Sequence, residues 1–369
     1  MMRVAFFGFH SRPGGIGNVM VNLMNAMTDL GLGVDVLLHR EDAHDLARLL
    51  PTVRVVPGIK RGLGSFPAFL RYLSKEKPSW IVCNREDANR LAVLAKACLP
   101  LPPKVALRVG TALNVTLARR HGLKRWSRRH AICWAYRRAD LVIAVSQGVR
   151  QDILEVTRLV PERVVVLANA SLPPDMEARA HAPCPHPWLE EEVPVLVGVG
   201  RLARQKDFSG LLQAFAQIRQ TRPLRLLIVG EGQERQALLD LAQALGVAED
   251  FALAGFSPNP YAYMARAACF VLSSAWEGFG NALAEAMALG VPVVATDCPF
   301  GPAELLRGGT LAPLVPVGDV AALARGIEEA LSHPPSPEDL RQAVLPYQAK
   351  ESAKAYAQAL GLWEESTCG

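Results

Sequence analysis

Short apolar runs recur along the chain with strand-like length, and the stretches between them repeat their apolar positions with helical spacing. Runs at 3–9 (RVAFFGF) and 33–38 (GVDVLL) flank an amphipathic stretch at 18–30, which predicts a β-α-β opening. Further strands are expected at 79–83, 104–108, 140–145 and 163–167, with helical stretches between them, so this half reads as a parallel sheet flanked by helices. Residues 172–194 break the rhythm with six prolines and a run of charge, the composition of a linker. The pattern then restarts. Strands at 194–199, 225–229, 250–254, 269–272 and 291–295 alternate with helices near 207–220, 232–245, 280–289 and 319–332, a second doubly wound α/β unit. A last helical stretch at 348–360 follows Pro346 and has no strand after it, so it need not belong to that unit. The expected organisation is an N-terminal domain at 1–172, a linker at 173–193, a C-terminal domain at 194–346 and a terminal helix within 347–369.

Bulk properties agree with two folded domains. A chain of 369 residues exceeds the size at which one hydrophobic core stops growing. Half of its residues are hydrophobic and a fifth are charged, which excludes extended disorder. No window approaches the ~20 uninterrupted apolar residues of a membrane span. The apolar start runs straight into a glycine-rich turn and reads as a strand, not a signal peptide. The seven cysteines are scattered and never spaced C-x-x-C, which argues against a disulfide framework or a zinc site and for a reduced, cytoplasmic compartment. The net charge of +5 hides a division: residues 1–172 carry 26 basic and 12 acidic side chains, a balance of +14, whereas 173–369 carry 14 and 23, a balance of −9.

The most specific signal for chemistry is the run from Ser274 to Thr296, SAWEGFGNALAEAMALGVPVVAT. It follows a strand, opens a helix through Gly278, Phe279, Gly280 and Asn281, and closes on another strand. Free backbone amides at a helix start attract anions, and glycines let a phosphate approach them. Glu277 lies on the loop and Glu285 about one turn inside the helix. Two exposed glutamates, one capping a helix, would be the bland reading; the flanking glycines and strands favour a site in which the carboxylates accept hydrogen bonds from sugar or ribose. Upstream, Gly198 to Asp207 (GVGRLARQKD) follows the first strand of the second half, where Arg201 and Lys206 can converge on a diphosphate, although an ordinary basic loop has the same composition. In the first half, Gly14, Gly15 and Gly17 follow strand one; such a turn is weak evidence alone, and it suits a backbone closing over donor phosphates.

Together the E-x7-E run from Glu277 to Glu285, the following EAMALGVPVVAT, the GRLARQKD segment, the Gly14-Gly15 turn and the AVS at 144–146 resemble the retaining glycosyltransferases of family 4. The resemblance covers nearly the whole chain and is strongest over about 195–310. It implies the GT-B fold: two Rossmann-like domains with a cleft between them and a C-terminal helix crossing back to the first. It also implies that Arg201 and Lys206 bind the donor diphosphate, that Glu285 binds the nucleotide ribose, and that Glu277 faces the transferred sugar. The segment Thr296 to Glu304 (TDCPFGPAE) is similar to a subgroup that builds bacterial envelope glycans, often from UDP-sugars. One position departs from the family. Many members have a histidine after the strand corresponding to 104–108, where this chain reads Arg108-Val-Gly-Thr111-Ala-Leu-Asn114; His121 and His130 lie further on, in a basic helix.

The expected activity is that of a soluble, retaining hexosyltransferase using no cofactor, with Glu277, Arg201 and Lys206 as catalytic groups and Gly14, Gly15, Gly278, Phe279, Gly280, Asn281 and Glu285 holding the donor. Prearranged cations and amide dipoles would stabilise the diphosphate leaving group; no D-x-D sequence offers a metal clamp, so no metal is expected. The acceptor would be a cell-envelope or lipid-linked glycan. Segment 119–138 holds eight basic residues, no acid, and Trp126 and Trp134, and so could dock on anionic lipid at the inner face of the cytoplasmic membrane, or be a solvated basic face. Two other enzymes are alternatives: a GDP-mannose-dependent mannosyltransferase and an NAD-dependent oxidoreductase with Asp35 as its ribose-binding acid. The second lacks a G-x-G-x-x-G. A nucleic-acid-binding protein could use the basic first half, but it would leave the second-half motif unexplained, so no nucleic-acid partner is expected. Base selection would fall to the loops Gly230-Glu231-Gly232 and Phe256-Ser257.

Overall fold

A computed structural model describes residues 2–9, 15–38, 46–59, 63–118, 121–184 and 186–364. The chain forms two compact units: Met1–Ser171 with Tyr347–Gly369, and Leu172–Pro346.

The first unit is built on a parallel sheet of β1 (Arg3–Phe9), β2 (Gly33–Leu38), β3 (Arg54–Val56), β4 (Trp80–Cys83), β5 (Lys104–Val109), β6 (Leu141–Ala144) and β7 (Val164–Val166), in the order β3-β2-β1-β4-β5-β6-β7. Its helices are α1 (Gly15–Asp29), α2 (Phe66–Glu76), α3 (Glu86–Cys98), α4 (Leu113–Ala118), α5 (Gly122–Arg138) and α6 (Gln147–Thr157). All four residues of β4 are buried, as expected of a parallel strand covered on both faces. Ser146 caps α6, its hydroxyl accepting from the Val149 amide at 3.2 Å. The chain winds outward from β1 to β3 and then returns to place β4 on the other side of β1, so the topological switch lies between β1 and β4.

A charged cluster pins the edge of this sheet. Asp35, fully buried in β2, accepts from Arg3 Nη1 at 2.7 Å, from Arg54 Nε and Nη2 at 2.9 and 2.5 Å, and from the Tyr72 hydroxyl at 2.6 Å. Burial works to raise its carboxyl pKa, but the hydrogen bonds from Arg54 and Tyr72 and the charge of Arg3 outweigh it, leaving the group below its ordinary value.

The second unit holds β8 (Val195–Val199), β9 (Arg225–Val229), β10 (Phe251–Gly255), β11 (Cys269–Leu272), β12 (Val293–Thr296) and β13 (Leu314–Val315), parallel and ordered β10-β9-β8-β11-β12-β13. Its helices are α7 (Met176–Ala180), α8 (Phe208–Arg219), α9 (Arg235–Ala244), α10 (Tyr261–Met264), α11 (Asn281–Ala288), α12 (Pro302–Leu305), α13 (Val320–Ser332) and α14 (Pro337–Ala343). Leu211, Phe215 and Ile327 cover a core that includes Leu196, Ile228 and Val271. The switch point here lies between β8 and β11.

The proline-rich stretch at 172–194 differs from the linker its composition suggests. It carries α7, and the backbone carbonyls around that helix are taken up by the second unit: Arg266 donates to Ala180 and Ala182 at 3.1 and 2.8 Å, and Asn259 donates to Arg179 O at 2.8 Å. Arg179 in turn donates to Pro258 O at 2.6 Å and lies 4.6 Å from the centre of the Tyr261 ring. Prolines remove backbone donors but leave carbonyls to be satisfied; arginine side chains supply the donors.

After Pro346 the chain rejoins the first unit through α15 (Ala349–Ala359), which packs on α1. Ala353, Tyr356, Ala357 and Leu360 share one core with Met20, Met24 and Met27. Trp80 Nε1 donates to Leu360 O at 2.7 Å, and the Ser352 hydroxyl to Ala168 O at 2.7 Å.

Candidate active site

The loops that leave β8 and β11 lie side by side at the switch point of the second sheet, the place where ligands of such sheets bind. Four contacts tie them together. Lys206 Nζ donates to Glu277 Oε1 at 2.6 Å, the Ser273 hydroxyl donates to Lys206 O at 2.7 Å, Gln205 Nε2 donates to Trp276 O at 2.9 Å, and the Ala275 amide donates to Gln205 O at 2.8 Å. The same Oε1 of Glu277 also accepts from the Ser274 hydroxyl at 2.7 Å. The side chains of Lys206 and Glu277 are only 18% and 10% exposed, so their pairing and the extra hydroxyl offset the loss of water around both charges. An ammonium has three donors, so Lys206 keeps others for a ligand while Glu277 is held.

Two glycines let the surrounding loops close up. A Cβ on Gly230, just after β9, would fall 1.8 Å from Gly200 O, and one on Gly301, at φ +109°, would fall 1.8 Å from Phe279 O. The loop after β12 therefore rests directly on the turn that starts α11. Gly280 occupies the N-cap of α11 at φ +96° and has no side chain with which to cap it. Beneath the loop, Thr296 donates to Ser274 O at 2.6 Å. Burial pushes the neighbouring Cys298 thiol up to about 12, with the charge of Glu277 adding to the effect, so this cysteine stays protonated and unreactive.

Lys206 and Glu277 are thus in contact. Glu285 is buried in the second turn of α11, 6% exposed; Phe279 and Gly280 are buried; Gly278 and Asn281 are half-buried in the same turn. Arg201, on the loop after β8, is exposed and has no ion-pair partner among the described residues. Gly15 is the exposed first residue of α1, and Gly14 lies outside the described residues. Asp35 cannot serve as a ribose-binding acid, because it is buried within the ionic cluster of the first sheet. In the stretch Arg108–Asn114, which holds no histidine, Arg108 is buried and donates to Tyr356, Asn84 and Asn169 at 3.2, 2.9 and 2.6 Å. His121 and His130 are exposed on or beside α5, where His130 lies against Trp126 with ring centres 4.0 Å apart. Ser274, Gln205 and Thr296 lie within the segments singled out in the sequence but have no role assigned from it; their hydrogen bonds support the site. Among the described residues no group of three or more His, Cys, Asp or Glu is arranged to hold a metal, and no helix is long and apolar enough to cross a membrane.

Two family models match the chain, Glycosyl transferases group 1 over residues 187–344 and Glycosyltransferase Family 4 over residues 13–170. The chain belongs to the GT-B glycosyltransferases of the family 4 type. This glycosyltransferase is 31% identical over 221 residues, 60% of its length, to the N-acetylgalactosamine-N,N'-diacetylbacillosaminyl-diphospho-undecaprenol 4-alpha-N-acetylgalactosaminyltransferase of Campylobacter jejuni. It is 34% identical over 141 residues, 38% of its length, to the lipopolysaccharide core biosynthesis glycosyltransferase LpsE of Rhizobium meliloti. These matches span 57% and 40% of the two curated relatives. Among solved structures, that of Anabaena Alr3699/HepE in complex with UDP has a TM-score of 0.81 at 19% identity, covering 98% of this chain and 100% of the other. The apo lipopolysaccharide outer core galactosyltransferase WaaB has a TM-score of 0.73 at 19% identity, covering 98% of this chain and 99% of the other. At those identities the likeness establishes the GT-B fold.

Proposed function

We propose that this glycosyltransferase transfers a hexose from a UDP-sugar to a cell-envelope or lipid-linked glycan acceptor with retention of configuration. The donor is assigned to the second unit and the acceptor to the first. The observation that carries the reading is the Lys206–Glu277–Ser274 contact at the switch point of the second sheet, beside a glycine-lined helix start. A diphosphate leaving group gains negative charge as its bond to the sugar breaks. Lys206, Arg201 and the amides of Gly278–Gly280 supply fixed positive potential there. Glu277, already neutralised locally by Lys206, accepts from sugar hydroxyls without repelling the phosphates; Glu285 does the same for ribose. The leaving phosphate takes the acceptor proton.

The choice of UDP is supported by the HepE complex, and the class of acceptor by the names of the Campylobacter and Rhizobium relatives. A lipid-linked acceptor also gives a use to α5. Leu123 and Trp126 there are 84% and 61% exposed and are interleaved with Lys124, Arg125 and Arg129, a face suited to anionic headgroups. Thermal-shift measurements against UDP, GDP, ADP and NAD test the donor. Ligand at a hundred times its Kd stabilises by about 2.7 kcal/mol, a shift of several degrees. UDP is expected to give the largest shift; a larger one with GDP would turn the reading to a GDP-mannose enzyme, and a response to NAD alone would overturn it.

A further inference from the structure

We propose that Phe300 is a positioning residue, whose left-handed backbone clamps the turn carrying Glu277 and so sets the grip of that carboxylate on the transferred sugar. The proposal rests on the glycosyltransferase reading given above. Lys206 and Ser274 hold the end of the Glu277 side chain; the loop after β12 holds its backbone. The Glu277 amide donates to Pro299 O at 3.3 Å, and two residues later Gly301 lies so close to Phe279 O that a methyl there would fall 1.8 Å from it. The loop is fixed at both ends, where the Asp297 amide donates to Val315 O at 2.6 Å and the Leu305 amide of α12 to Gly301 O at 3.0 Å. Residues 277–279 are therefore gripped from one side by Pro299 and Gly301, and Phe300 is the residue between the two contacts.

Phe300 is half-buried and has φ +72°. A side chain crowds the backbone in that region, and a bulky one there is a rare exception. The other non-glycine residues with positive φ among the described ones have ordinary reasons for it. Lys77 and Arg158 end α2 and α6 as left-handed C-caps, Asp207 caps α8 with its carboxylate, and Arg307 stands in a short turn before Gly308. Phe300 ends no helix, and the N-cap of α12 is Gly301. Strain of this kind persists where the surrounding structure imposes it, and it gathers at functional sites. Relaxing residue 300 to a φ of roughly −70° would turn the chain on one side of it by about 140° against the other, so Pro299 and Gly301 could not both keep their contacts with the turn. The Glu277 amide would lose its acceptor, and the carboxylate oxygens would shift from the place set for the sugar hydroxyls. The nucleotide would be spared, because Glu285 lies further inside α11.

The test is isothermal titration of the full chain with UDP, UDP-glucose, UDP-galactose, UDP-N-acetylglucosamine and UDP-N-acetylgalactosamine. The wild type is expected to bind UDP and at least one UDP-sugar. Phe300→Asn removes the ring but adopts a left-handed backbone readily, and it should bind that UDP-sugar within about twofold of the wild type. Phe300→Val, whose branched side chain resists that conformation, should weaken the UDP-sugar about tenfold, the size of one hydrogen bond to a charged group, and UDP by less than about twofold. If Phe300→Val does not fold, Gly301→Ala lifts the same loop from Phe279 and takes its place with the same expectation. In a Glu277→Gln background the loop substitution should weaken the UDP-sugar no further, since it acts through Glu277. A loss in Phe300→Asn as large as in Phe300→Val would show that the ring matters and not the backbone, and overturns the proposal. So does an additive loss in the Glu277→Gln background, equal UDP-sugar affinity in all loop variants, or a wild type that binds UDP and no UDP-sugar. A wild type that binds neither would instead sink the donor assignment, and undiminished UDP-sugar binding by Glu277→Gln would sink the role given to Glu277.

Discussion

Lys206 and Glu277 come from loops 71 positions apart and share a 2.6 Å contact, so each residue depends on the other for its place. Lys206→Ala would leave the Glu277 carboxylate with Ser274 as its hydroxyl donor, in a setting only 10% exposed. The full cost of breaking a buried pair is not expected, because Lys206 is 18% exposed and water can partly replace it; about 2 kcal/mol is expected, read from urea unfolding. Sugar transfer should fall about 10²–10³-fold, the loss typical of removing one group that stabilises developing charge. A Lys206→Ala enzyme with native turnover would remove the assignment. Arg201, Lys206, Glu277 and Glu285 stand out in the sequence because their spacing repeats a motif. The residues that hold them do not: the hydroxyl of Ser274 reaches Glu277 and that of Thr296 reaches Ser274 O only after the strands have been assembled.

At the scale of the element, apolar runs located every strand but β3 and β13 to within two residues, because a strand buried on both faces reads as an unbroken apolar run, and helical spacing located α1, α8, α9, α11, α13 and α15 to within three. The exceptions have physical causes. β3 is three residues with two of them exposed, and β13 is two residues long, so neither carries a period. β3 exists because Arg54 reaches the buried Asp35 of β2, and that pair should make the first unit pH-sensitive. Asp35 titrates below its ordinary 3.8 in the folded chain, so its contribution is complete above that value and disappears as the pH falls through the depressed one. Urea unfolding from pH 2 to 7 should show Asp35→Asn less stable than wild type by about 3 kcal/mol above pH 4, with the gap narrowing in acid. A gap that stayed constant would show that the charge has no part. The basic helix α5 makes a second prediction. Replacing Lys124, Arg125 and Arg129 by alanine should weaken cosedimentation with phosphatidylserine vesicles by about 1 kcal/mol per residue, and Trp126→Ala should weaken it at any salt concentration. Binding indifferent to both changes would leave α5 a solvated face.

The whole molecule is divided unevenly in sequence, and this makes the division of labour separable. The second unit is one continuous piece, Leu172–Pro346, whereas the first needs both Met1–Ser171 and the returning segment from Tyr347. Without α15, the buried face of α1 formed by Met20, Met24 and Met27 would lose Ala353, Tyr356 and Leu360 from its core, and Trp80 would lose its acceptor at Leu360. A fragment spanning 1–171 should therefore aggregate or melt without cooperativity. A fragment spanning 172–346 keeps its sheet, its core and the Lys206–Glu277 contact, so it should fold alone and unfold in a single transition. If the donor site belongs to this unit, the fragment should also bind UDP. A folded 172–346 fragment with no affinity for UDP would show that Arg201, Lys206, Glu277 and Glu285 are insufficient, and the assignment of the donor to one unit would have to be abandoned.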